Sequence, residues 1–178
     1  MLDLLKSRRS IRKFKNVEVE KEKIEALVKG ALLSPSSKNS TPWEFIVVTD
    51  KNTLGELALS KKAGSAFLKE APLGIVVLGD ANISDVWVED TSIATTIIQL
   101  VAESMGLGSC WIQIRERKHN EDIKAEEHVR KTLNIPENMK VESIVAIGYP
   151  DENKEPRSEE SLKYDKVFLN SYENKYTL

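Results

Sequence analysis

The sequence predicts a single mixed domain of the α/β or α+β class. Three observations lead there. Four short runs rich in β-branched and apolar residues alternate with stretches of helical periodicity. The length of 178 residues suits one domain and one well-formed core. Apolar residues make up 40% and charged residues 30%, the balance of a globular chain. No internal repeat, low-complexity tract or Pro/Gly-rich linker interrupts it.

Residues 2–7 can form a short helix. Over 19–33, Ile24, Leu27, Val28, Ala31 and Leu32 fall at the spacing of one buried helical face. Pro35 disfavours helical geometry in the residue before it and ends this helix near Ser34. Residues 34–42 are a polar loop, and 43–49 (WEFIVVT) are a strand. Short helices are expected at 51–60 and 65–70. The run LGIVVLG at 73–79 is a strand covered on both faces. The longest helix is expected at 87–105, where Thr91, Ser92, Thr95 and Ala102 are small enough for close helix packing. A third strand is expected at 109–114, an amphipathic helix at 121–133 and a fourth strand at 139–148. From Tyr149 the chain turns polar, yet Tyr164, Val167, Phe168 and Leu169 punctuate it, the pattern of a tail that docks.

Composition excludes several function classes. With 26 basic and 28 acidic side chains the net charge is −2, which argues against a general nucleic-acid binder. A single cysteine, Cys110, excludes an internal disulfide framework and a cysteine-only metal cluster. It fits a reducing compartment and reads as a core side chain. No run of about 20 apolar residues could span a membrane. The N-terminal charges follow a very short apolar stretch, the reverse of a signal peptide, so a cytoplasmic protein is expected. His119 and His128 lack ligand spacing, read as solvated, and leave no metal site expected. Neither a Walker loop nor a GxSxG elbow occurs. Glu89 and Asp90 read as favourable charge at a helix N-terminus.

Four segments carry the chemistry. Lys6, Arg8, Arg9, Arg12, Lys13 and Lys15 crowd the first fifteen residues, with Ser10 among them and Asp3 the one acid. Arginine forks match phosphate oxygens, so this is an anion site, or else a solvated basic face or nucleic-acid arm. Residues 35–43 (PSSKNSTPW) place many hydrogen-bonding groups between two prolines, able to read the edge of a polar ring, or to serve as a plain turn. Gly106 is expected to end the long helix in a left-handed cap, and Gly108 to let a ligand approach the backbone. Finally, a strand runs out through Gly148-Tyr149-Pro150 to an isolated Arg157.

In this order and spacing the segments resemble the nitroreductase family of FMN-dependent oxidoreductases. The carriers are RRSIRKF at 8–14, SPSSKNSTPWEFIVV at 34–48, the helix from Glu89 into GLGSCWI at 106–112, and IGYP with PR at 147–157. The resemblance implies an α+β fold, a central and mostly antiparallel sheet flanked by helices, in an intertwined homodimer with FMN at the subunit interface. The long helix would be a main dimer contact, and the tail at 158–178 of this 1–178 domain would dock on the partner. Arg8, Arg9, Ser10 and Arg12 would hold the FMN phosphate and ribityl chain, and Arg157 would close on the phosphate. Pro35, Ser36 and Ser37 would lie over the flavin ring from the other subunit. Asn39 matches the family's frequent asparagine, whereas Thr41 stands where many members have glutamine. Leu107, Gly108 and Ser109 would bring backbone donors near flavin N5 and O4.

The implied activity is hydride transfer from NADH or NADPH through flavin N5 to a nitroaromatic, quinone or similar conjugated acceptor, in a ping-pong cycle. The chemistry is the cofactor's, and no catalytic side chain is required. Relatives of this fold also carry out dehalogenation or enoate reduction, usually with extra covering segments that this compact chain lacks. A non-catalytic flavin-storage module is the alternative from another class.

Overall fold

The computed structural model describes residues 1–176; the last two residues of the expected tail lie outside it. Four strands, β1 (Trp43–Val48), β2 (Leu73–Asp80), β3 (Gly108–Gln113) and β4 (Met139–Gly148), form one sheet in the order β1-β2-β4-β3. Every neighbouring pair is antiparallel, which decides the open choice in favour of α+β. Alternation of helices and strands does not by itself fix strand direction. Here the connection between β2 and β3 carries the longest helix and skips one place, and β4 enters the gap running the opposite way.

Among the described residues five helices flank the sheet: α1 (Leu2–Ser7), α2 (Lys21–Leu32), α3 (Lys51–Ala58), α4 (Trp87–Ser104) and α5 (Ala125–Leu133). Because strand side chains alternate, β2 feeds two cores, as its continuous apolar run predicts. Leu73, Ile75 and Val77 join Leu27 and Ala31 of α2 and Ile98 and Ala102 of α4. Val76 and Leu78 join Leu54 and Leu57 of α3, Val129 of α5, and Ile11 and Phe14 of the N-terminal segment.

Local chemistry explains most boundaries. Val19, just before the cap of α2, and Ile24 in its first turns share one core and staple the helix entry. A Cβ on Gly30 would lie 2.7 Å from Val101 Cγ2, so α2 meets α4 closely there. That contact centres the buried face on Leu27 and Ala31 and leaves Leu32 54% exposed, contrary to the expected stripe. Ile24, Val28 and Leu32 instead border an open groove of about 920 Å³ with Val19, Thr49 and Pro72. The helix expected at 121–133 starts only at Ala125, because Asn120 Oδ1 accepts from the amides of Asp122 and Ile123 and closes a turn. The segment 66–70 is a 3-10 turn.

One expectation about packing holds and one is corrected. The small residues of α4 are spent inside the protomer: Thr91, Ala94, Thr95 and Ala102 are buried, and Thr95 Oγ1 lies 2.9 Å from Ser143 Oγ of β4. The outward face of α4 carries Ile93, Thr96, Ile97 and Leu100. The two histidines are not free in solvent. Their rings stack with centroids 4.4 Å apart. His119 Nδ1 donates to Leu59 O at 2.8 Å and His128 Nε2 to Glu56 O at 2.9 Å, since a carbonyl can only accept. Together they fasten α5 and the loop before it to the end of α3.

Among the described residues no helix is long and apolar enough to cross a membrane. The tail forms short 3-10 turns at Glu159–Ser161 and Tyr164–Lys166, and Lys6 Nζ pairs with Glu159 at 2.6 Å. Beyond them Phe168 stacks on Tyr172, while Val167 and Leu169 stay exposed.

Candidate functional site

The arginine-bearing segment is extended and threaded between the ends of two strands. Ser10 forms a parallel bridge with Ser109 at the start of β3, and Ile11 N donates to Ser109 O at 2.9 Å. Phe14 bridges Pro150 beyond β4, and Lys15 N donates to Tyr149 O at 2.8 Å. The chain leaving β4 then doubles back over the segment. Glu152 Oε1 accepts from Arg12 N at 2.6 Å and Lys13 N at 3.3 Å. Those amides, the Arg12 one foremost, hold its carboxyl below the usual carboxylate value, with Lys154 adding to the effect. Lys154 Nζ donates to Ser10 O at 2.6 Å and pairs with Glu152 at 3.5 Å. Arg157 N donates to Lys6 O at 3.0 Å. Residues 8–12, 106–109 and 150–157 thus meet in one place.

Extended backbone sorts these side chains by parity. Arg8, Ser10 and Arg12 share one side, where the Arg12 guanidinium lies 5.7 Å from the centre of the Phe67 ring; burial pushes the nearby Cys110 thiol up while Arg12, Ser10, Lys154 and Arg8 pull it down. Arg9 turns the other way, its Nη1 donating to Glu155 O. Ile11, also on that side, fills the space above Gly108, where a Cβ would sit 2.8 Å from Ile11 Cβ. The missing side chain at Gly108 therefore makes room for Ile11. Leu107 and Ser109 are buried beside it. Gly106 does adopt the expected left-handed cap, at φ 74°, and Leu107 N donates to Ala102 O at 2.9 Å in a Schellman arrangement. A small cavity of about 160 Å³ is lined by Arg9, Gly106, Gly108 and Lys154. Among the described residues no carboxylate lies within 4.0 Å of the guanidinium groups of Arg8, Arg9, Arg12 or Arg157, which leaves all four without an acidic partner.

The second polar segment stands apart. Pro35, Ser36, Ser37, Asn39 and Thr41 lie in a loop that no described hydrogen bond or ion pair links to the arginine segment of the same protomer. Lys38, Asn39 and Thr41 all have positive φ, at 53°, 55° and 46°. Ser36 Oγ accepts from Thr41 N at 2.8 Å across the loop, and Pro42 O accepts from Asp80 N at 2.9 Å at its exit. Ser40 Oγ and Trp43 Nε1 are buried with no partner. Two orphaned donors where the loop enters β1 are costly alone and fit a ligand or subunit that supplies acceptors.

Sequence reasoning missed Glu152, Lys154 and the anchor of the loop, Asp90. Charges in a polar tail carry no signal for Glu152 and Lys154. Asp90 stands in the first turn of α4 as expected, but it is buried and bonded outside the helix. Among the described residues no three His, Cys, Asp or Glu side chains group as metal ligands.

A family model described as the nitroreductase family matches residues 5–64 and 54–149. A solved structure of an FMN-dependent nitroreductase from Clostridium difficile R20291 superimposes with a TM-score of 0.96 at 50% identity, covering 97% of this chain and 100% of that one. A relative from Archaeoglobus fulgidus, provisionally named NADH dehydrogenase/NAD(P)H nitroreductase, is 39% identical over 86% of this chain and 87% of its own length. An iodotyrosine deiodinase from Thermotoga neapolitana is 27% identical over 93% of this chain and 97% of its own.

Proposed function

The chain belongs to the nitroreductase family, and from that premise we propose that it is an FMN-dependent oxidoreductase. It takes hydride from NADH or NADPH and reduces a nitroaromatic, a quinone or a similar conjugated acceptor. One observation carries this reading: Arg8 and Arg12 flank Ser10, the Arg157 amide is tied to Lys6 just before them, and among the described residues none of these three guanidinium groups has an acidic partner. A phosphate monoester dianion is the ligand such a group needs, since charge-assisted bonds to it are short and strong.

The residues present fit FMN. Arg8, Ser10 and Arg12 would hold its phosphate and ribityl chain, with Arg157 closing over the phosphate. Arg9 would support the site through the Glu155 carbonyl rather than by direct contact. Leu107, Gly108 and Ser109 would line the floor with backbone groups. Pro35, Ser36, Ser37, Asn39 and Thr41 would cover the ring, and the Ser40 and Trp43 donors would find acceptors there or in the partner. FMN, when bound, supplies the hydride chemistry at N5. The chain's part is to bind, orient and exclude water. Separation of the loop from the arginines within one protomer supports a homodimer in which each subunit's loop covers the other's site. Residues 158–178 would act as an arm on the partner. The deiodinase relative supports a second reading, reductive dehalogenation at the same site. A non-catalytic flavin carrier is the outcome in which bound FMN is never reduced.

The test is the visible spectrum before and after anaerobic NADH or NADPH. Flavin bands that bleach, and recover with a quinone or nitro compound, are expected; recovery with iodotyrosine alone favours the second reading. Protein that takes up no FMN overturns both. Arg8→Ala and Arg157→Ala should each weaken FMN retention by about 1.5–3 kcal/mol, measured by fluorescence titration. Unchanged affinity in both variants places the phosphate elsewhere.

A further inference from the structure

We propose that Asp90 is the positioning residue that holds the loop at 35–42 in the shape that meets the flavin; this rests on the reading above that the loop covers the ring. Asp90 is 2% exposed, and a buried carboxylate must be compensated by hydrogen bonds. A first-turn acid that only balanced the helix end could stand in solvent, as its exposed neighbour Glu89 does. Asp90 instead reaches out of α4. Its Oδ1 accepts from Ser37 N at 2.8 Å, and its Oδ2 accepts from Ser84 Oγ at 3.2 Å. The Ser84 hydroxyl also accepts from Val86 N at 3.3 Å and ties the turn before α4 to the same carboxylate.

The loop needs such an anchor. Three residues other than glycine stand at positive φ within four positions, and one of them, Thr41, is β-branched. Backbone in that region carries strain and persists only where its surroundings over-determine it. The exit is tied by Pro42 to Asp80 and the middle by Ser36 to Thr41. At the entrance the Asp90 carboxylate holds the Ser37 amide, next to the first left-handed residue, Lys38. Release of that amide lets the left-handed run relax and moves the hydroxyl and amide groups of Ser36, Ser37 and Asn39 together. Preorganisation of a binding loop raises affinity by sparing the ordering cost on binding. It also fixes how the ring edge is presented.

The experiment compares full-length, FMN-loaded wild type with Asp90→Ala, Asp90→Asn and Glu89→Gln. The readouts are FMN affinity, the visible circular dichroism of bound flavin, and far-UV circular dichroism as a check of folding. Asp90→Ala should weaken FMN about tenfold, the size of one lost charge-assisted bond, and flatten the flavin dichroism with the fold intact. Asp90→Asn keeps an oxygen for the Ser37 amide and should restore most of both. Glu89→Gln removes a charge from the same helical turn and should leave both unchanged. A folded Asp90→Ala with wild-type affinity and dichroism overturns the proposal, as does a Glu89→Gln equal to it in effect. Should Asp90→Ala not fold, Ser84→Ala carries the test: hydrogen exchange at 36–41 is expected to quicken and the flavin dichroism to weaken, and unchanged exchange and dichroism overturn the proposal. Wild type that binds no FMN overturns the functional reading itself, a result distinct from normal wild-type binding with an unaltered Asp90 variant.

Discussion

Glu142 is the residue whose chemistry agrees least with its place. The β2–β4 register shifts by one between Val77 and Leu78, and Glu142 is the extra residue of that bulge. Its side chain is buried; Oε1 accepts from Gln113 Nε2 at 3.1 Å, and Oε2 has no partner. Burial pushes its carboxyl above the usual 4.5, against the opposing pull of Gln113 and Arg115. For an acid raised in the folded state, the folded form holds its proton where the unfolded chain has released it. Stability from this group is therefore full below 4.5 and falls as pH rises from there through the folded value. Glu142→Gln keeps the shape and removes the titration. It should raise stability at neutral pH by about 1 kcal/mol, or roughly 2–4 °C in Tm for a domain of this size, and leave it unchanged near pH 4. Melts across pH check this; a loss of stability at neutral pH would mean that the charged form is the one the fold wants.

At the scale of elements, the extended N-terminal segment matters more than any helix. It joins β3 through Ser10 and Ile11 and the end of β4 through Phe14, so Arg8, Ser10 and Arg12 ride on the sheet rather than on a mobile arm. Gly108 is the seat of that junction, since a Cβ there would lie within 2.9 Å of Ile11 Cβ, Cγ1 and Cγ2. Gly108→Ala must push Ile11 outward and Ser10 with it. Overpacking of this kind costs about 1–3 kcal/mol. The expected result is a lower Tm together with weaker FMN retention. A variant that loses stability yet binds FMN normally would separate the junction from the site. Part of this element was legible beforehand. The basic cluster and both glycines stand out in the sequence, and Gly106 caps α4 as its position after a helix requires. The inward role of Gly108 was not legible, because Ile11 lies 97 residues away in sequence and only strand pairing brings it there.

For the whole molecule, the surface left apolar is the telling feature. Leu32 and Leu33 at the end of α2, Ile93 on the outward face of α4, and Val167 and Leu169 in the tail are all 41–81% exposed. Scattered exposed apolar residues are ordinary, but Leu32 and Leu33 run directly into the loop at 35–42, and Ile93 stands within one turn of Asp90 on α4. On the reading proposed above, this is the surface that would meet a second subunit. Sedimentation should give a dimer at micromolar concentration. Ile93→Glu should shift the chain toward monomer and lower FMN retention in parallel. A monomeric variant that keeps FMN at wild-type affinity would sink the shared site.

What the sequence determined by itself was local. Periodicity located α2, α4 and all four strands, because side chains three and four apart on a helix, or two apart on a strand, share one environment wherever the element packs. Pro35 and Gly106 marked helix ends for reasons contained within a few residues. Motif order identified the family and its α+β class. The tertiary structure decided the order of the strands, the turning of Arg9 away from Arg8 and Arg12, the pairing of His119 with His128, and the clasp of Glu152 on the Arg12 amide. It also decided the use of Asp90, whose partner at Ser37 is 53 residues distant. Each of these depends on which atoms meet across the fold, and no pattern of neighbours along the chain encodes the partner of a single buried charge.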